Sequence, residues 1–102
     1  MRLSDMKITL HQQKDLETLI ETKITHVLGG RRSNANCDLQ MRFKTAVYFL
    51  HDFYEYFSIV GYSEIKARDY DLVKQYILDW RVNTNLRKEI SYINQKGENT
   101  WN

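Results

Sequence analysis

His51, Asp52 and Glu55 lie close together, with His51 and Glu55 four apart, the spacing that sets two side chains next to each other on a helix. Two such ligands can start a metal site. No second histidine follows on that stretch, no HExxH pattern occurs and no cysteine pair completes a set, so we expect solvated surface groups there, with neither metal nor other cofactor. Cys37 is the sole cysteine and has no evident base beside it, and His11 and His26 are equally isolated. The parts of a nucleophilic site are not assembled in the sequence. The expectation is a chain that binds a partner and is not an enzyme.

The cations offer a different chemistry. Arg31 and Arg32 stand in the turn-rich run GGRRSNANCD, Arg42 and Lys44 follow on the next apolar segment, and Lys66 and Arg68 precede a later one. One reading has these six contact the phosphates of a nucleic acid. The other leaves them solvated, with Arg31 or Arg32 compensating the carbonyl end of the preceding helix. The electrostatic reading gains if the two groups fold onto one face. A net charge of +2 does not choose between them, but its distribution is uneven. Residues 23–44 carry Lys23, Arg31, Arg32, Arg42 and Lys44 against Asp38, whereas residues 45–65 carry Asp52, Glu55 and Glu64 with no Lys or Arg. Such a bipolar chain suits complementary docking or self-association as readily as nucleic acid.

Apolar periodicity supplies the elements that must position these groups. Leu16, Leu19, Ile20, Ile24, Val27 and Leu28 recur at intervals of three and four, predicting a helix from about Leu10. Thr9 and Gln12 have capping-box chemistry at its start, and Gly29 supplies the left-handed residue that ends helices. Residues 29–38 read as an exposed basic loop, with Asn36 or Asp38 available to cap the next helix. In that helix Leu39, Phe43, Ala46, Val47, Leu50, Phe53, Tyr54 and Phe57 form a core-facing stripe about 120° wide, and Phe49 and Tyr56 widen it to about 180°. Phe49 and Tyr56 on the shoulder, together with Tyr48, are the candidates for a protein interface, covered by a dimer partner or a target.

Residues 58–68 read as an ordered connector, pinned by Ile59, Val60, Tyr62 and Ile65, with a short extended piece or one helical turn around Ser63. Its length exceeds the short turn of a helix-turn-helix, which weakens that reading. Asp69 is placed to cap a third helix with Tyr70, Val73, Tyr76, Ile77 and Trp80 on one face. Asn83 or Thr84 begins a fourth, weaker helix bearing Leu86, Ile90 and Ile93, and the tail from Gly97, Trp101 included, should fray. The fold class expected is all-α, a compact bundle of about four helices in one domain of 102 residues, with its core at about 10–94 and frayed ends at 1–8 and 97–102. The single cysteine and the lack of a signal-peptide pattern point to a reducing, cytoplasmic setting, and the mean hydropathy of -0.60 argues against a membrane partner.

The order of these features resembles a known family. An amphipathic helix ending in LGGRR, a long helix with YFLHDFYEYFSI, the connector VGYSEIKARDY and the closing VKQYILDW are together similar to the carboxy-terminal domain of phage antirepressor and related phage regulatory proteins. The resemblance runs from Leu16 to about Ile93. It implies a phage or prophage context in a bacterial host cell, an α-helical fold and a regulatory binding role, with a phage or host regulatory protein as the expected partner. A homodimer is a further expectation, and direct nucleic-acid binding the alternative. In the family the domain usually follows a separate amino-terminal regulatory domain, which implies a free-standing version or an excised piece here. It transfers no catalytic residues.

Overall fold

The computed structural model describes the backbone of residues 6–99 and the side chains of residues 6–96. Helix α1 (Leu10–Val27) begins where sequence places it, because Thr9 Oγ1 accepts from the Gln12 N–H (3.0 Å) while Gln12 Oε1 accepts from the Thr9 N–H (2.9 Å). It stops at Gly29 and Gly30, whose φ values of 111° and 105° suit residues without a Cβ. A Cβ at Gly29 would also lie 2.8 Å from Asn94 Nδ2.

The basic loop is only partly a loop. Ser33 accepts from the Asn36 N–H and starts a one-turn helix α2 (Asn34–Cys37), which buries Ala35 completely. Asn94, from the last helix, donates to the Leu28 carbonyl (2.9 Å) and accepts from the Ala35 N–H (2.8 Å), tying both ends of the turn together. Of the two caps expected for the next helix, Asp38 serves: its carboxylate accepts from the Gln40 and Met41 N–H groups at the head of α3 (Leu39–Phe57).

The orientation of α3 corrects the sequence reading. Met41, Thr45, Phe49 and Phe53 are buried, whereas Leu39 (81% exposed), Phe43 (73%) and Val47 (48%), expected in the core, face solvent. The buried side is turned by roughly 120° from the expected one, at 100° per residue. The reason lies in the aromatic residues that follow. Phe49 stacks on Phe53 (5.6 Å between centroids) and receives Trp80 edge-on (5.1 Å), and Phe53 packs on Tyr76 (5.9 Å). A helix apolar on nearly all sides offers several stripes; the one that meets Trp80 and Tyr76 is buried. Trp80 Nε1 donates to Asp52 Oδ2 (2.9 Å), which fixes that ring.

The connector holds two 3₁₀ turns, Tyr62–Glu64 and Ala67–Asp69, so of the two forms open around Ser63 it is the helical turn that occurs. Ile65 is buried and Ile59 and Tyr62 pack against the core, but Val60 is exposed and pins nothing. Part of the expected amino-terminal fray is instead anchored: the Ile8 N–H donates to the Ile65 carbonyl (3.0 Å), the Ala67 N–H to that of Met6 (2.8 Å), and Ile8 is buried.

Helix α4 (Tyr70–Asp79) buries Val73 and Ile77 as expected. The Asp69 side chain makes no capping hydrogen bond, because a 3₁₀ turn already leads into the helix. Helix α5 (Thr84–Asn99) is capped by Asn83, whose Oδ1 accepts from the Leu86 N–H (2.8 Å), and it buries Leu86 and Ile90. It runs through Gly97, where fraying was expected; Trp101 lies outside the described residues. α1 packs on α3 and α4, and α2 bridges α3 and α5. The result is the expected all-α bundle, four long helices and one short one, with no strand among the described residues beyond the isolated Lys7–Lys66 bridge.

Candidate functional site

Residues four apart on a helix are neighbours, so the exposed Leu39, Phe43 and Val47 form a continuous apolar stripe on α3. Ala46 and Leu50, three residues beyond Phe43 and Val47, carry it to the edge of a groove between α3 and α1. Ile20 and Ile24 from α1 join Ala46 and Leu50 along the groove, Tyr62 closes one end, and Glu17 and Glu21 stand on the α1 bank. The groove holds about 480 Å³, and no Lys or Arg stands among the described residues that line it. Burial lifts the Tyr62 phenol to about 12, helped by Tyr54 and by the negative charge of Glu17, so the end of the groove carries a neutral hydroxyl at ordinary pH.

Of the three residues marked for an interface, Tyr48 and Tyr56 are exposed and Phe49 is not. Phe49 has 0% of its surface accessible and sits at the centre of the core, which removes it from any docking face. Its shoulder position followed from centring the buried stripe on Leu39, Phe43 and Val47; once those residues face solvent, the shoulder becomes the middle. Tyr56 lies against Tyr76 and Phe57, each 4.8 Å between centroids, on a different side of α3 from Phe43.

The six basic residues separate. Arg31 and Arg32 are exposed in the turn after α1, Arg31 beside Glu21, Thr22 and Thr25. Arg42 is hydrogen-bonded to Asn36 Oδ1 and to Thr25 Oγ1, which holds α3 to α1 and α2. Lys44 Nζ pairs with the Glu89 carboxylate (2.8 Å), whose hydrogen bond raises its pKa. Lys66 is in the backbone bridge to Lys7, and Arg68 Nε lies 3.9 Å from Asp69. The first four gather near the amino end of α3 and the last two beyond its carboxyl end, roughly 28 Å away by helix rise. They do not form one field. The His51, Asp52 and Glu55 group is solvated, with His51 Nδ1 3.7 Å from each carboxylate, and no metal-binding cluster occurs among the described residues.

A different set of cations does converge, and charge counted along the chain could not find it. Lys23 and His26 on α1, Arg81 in the α4–α5 linker and Arg87 on α5 line one cleft of about 350 Å³ together with Val27, Val82 and Trp80. These residues are as far as 64 positions apart, and only the packing of α1 against the α4–α5 linker gathers them.

The helical fold accompanies a match at the family level. The model of the ORF6C domain family matches residues 2–90 of the chain. The chain belongs to the ORF6C domain family. This ORF6C domain is thus of the kind found at the carboxy terminus of phage antirepressor-like proteins, a phage regulatory family. No curated protein and no solved structure matches it. No described helix of the ORF6C domain is long and apolar enough to cross a membrane.

Proposed function

We propose that this ORF6C domain acts as a regulatory docking module, that its docking face is the exposed stripe of α3 with the adjoining groove, and that a second copy of the chain occupies that face. The observation that carries the reading is the exposure of Leu39, Phe43 and Val47 in one row, three large apolar side chains that their own fold leaves uncovered. The stripe and the apolar groove adjoin on one face, so a two-fold axis seats the stripe of each copy in the groove of the other. Charge supports an antiparallel arrangement. Arg42 lies in the amino half of α3, and Glu17 and Glu21 stand on the α1 bank of the groove beside Ala46 and Leu50, nearer the carboxyl half of α3. Pairing the helices head to tail sets opposite signs together.

Sedimentation equilibrium tests this. The unaltered chain is expected to sediment as a dimer. The double variant Phe43→Glu/Val47→Glu is expected to sediment as a monomer with unchanged helical circular dichroism, because both side chains are exposed. A chain that stays monomeric at high micromolar concentration overturns the reading, as does a double variant that still dimerises.

A further inference from the structure

We propose that the cleft between α1 and the α4–α5 linker binds the phosphodiester backbone of a nucleic-acid strand, with Lys23, Arg81 and Arg87 as its phosphate contacts. The site opens on the flank of α1 away from the groove next to α3, so it is separate from the docking face. Among the described residues its lining includes three permanent cations and no carboxylate. Among the described residues none of the three has an acidic side chain within ion-pair reach, whereas Lys44, Arg68 and Lys74 all do.

Two further features favour an anion here. The first turn of α5 contains no acidic residue and carries Arg87 instead, although the amino end of a helix already bears a partial positive charge. A cation there is locally unfavourable, and a phosphate placed between Arg87 and the helix end relieves it. Lys23 is also oriented by the fold: its ammonium donates to the Leu78 carbonyl (2.6 Å), near the end of α4, leaving its other protons for a ligand. Arg81 and Arg87 are exposed and offer the planar donor pairs that match phosphate oxygens.

The form of the cleft selects a polymer over a small phosphate compound. Sites for small ligands enclose most of the ligand surface, whereas this cleft is open to solvent along one side and walled by Val27 and Val82. A backbone can cross it, with sugars against the valines and phosphates at the cations. With Lys23, Arg81 and Arg87 spent on phosphates, binding is expected to be indifferent to sequence.

Fluorescence anisotropy with labelled mixed-sequence DNA and RNA, single-stranded and duplex, provides the test. Three phosphate contacts predict an affinity that falls about 20- to 40-fold between about 50 mM and about 200 mM salt. The double variant Arg81→Ala/Arg87→Ala, made at exposed positions, should lower the salt slope by about two, and Arg31→Ala/Arg32→Ala should leave it unchanged. Lys23→Gln, which keeps a donor for Leu78, should lower it by about one. Absence of strand binding at low salt overturns the proposal. So does strand binding that survives loss of Arg81 and Arg87, or binding of inorganic triphosphate without binding of any strand. Because Phe43 and Val47 lie outside the cleft, the monomeric variant tests this site independently of dimerisation.

Discussion

On one side of α3 Met41, Thr45, Phe49 and Phe53 repeat every four residues; on another Leu39, Phe43 and Val47 do the same. The first row is sealed beneath Trp80, Tyr76 and Tyr62, and the second lies open beside a groove. The open row is no less apolar, since the sealed one contains a threonine. What separates them is the supply of partners elsewhere in the chain. α1 and α4 bring enough apolar surface to cover one side of α3 and leave the other uncovered. Periodicity specifies that a stripe exists, and the remaining helices decide which stripe becomes core.

The sharpest test of this contrast is a pair of truncations. Phe49→Ala should cost about 3–5 kcal/mol in urea unfolding, the range for a fully buried phenylalanine. Phe43→Ala, measured at a concentration low enough for monomer, should change stability by no more than about 0.5 kcal/mol. Equal losses would mean that both rows are buried in solution, and the contrast would fail. A smaller effect of opposite sign is expected within the sealed row itself. The Thr45 hydroxyl is buried with no hydrogen-bond partner among the described residues, so Thr45→Val should raise stability by about 1 kcal/mol, read from the same urea midpoints. A loss would show that the hydroxyl has a partner after all.

The border between the two rows gives the smallest effect. Tyr54 and Tyr62 meet there, 6.2 Å between ring centroids, and burial raises both phenols, Tyr62 to about 12. An unfolded tyrosine titrates near pH 10, so the folded chain holds this proton more tightly. The associated stability is fully present below about pH 10 and is lost as the pH climbs toward about 12. Tyr62→Phe should therefore lessen the fall in urea midpoint between about pH 9 and about pH 11. A fall of equal size in that variant would place the alkaline sensitivity elsewhere.

Much of the helical framework was legible because its signals are local. Thr9 with Gln12, Gly29, Asp38 and Asn83 act within a few residues of themselves, so their types and spacing nearly determine their roles. The face of α3 was not legible, because its choice depends on Trp80 and Tyr76, more than 20 residues away. Phe49 was misplaced for that reason. The cations show the same division. Arg31, Arg32, Arg42 and Lys44 look like a patch when read in order, yet two of the four are engaged by their own fold. Lys23, Arg81 and Arg87 show no pattern in order and share a cleft in space.

The clasp made by Asn94 bears on where the folding unit ends. The family match stops at residue 90, but the amide that holds the Leu28 carbonyl and the Ala35 N–H lies one helical turn further on. A chain shortened to the matched segment would leave both groups without that partner and free the turn bearing Arg31 and Arg32 to wander. The clasp therefore extends the stable unit of this chain past residue 90, and a chain cut back to residues 2–90 should unfold at a lower urea concentration than one kept to residue 96.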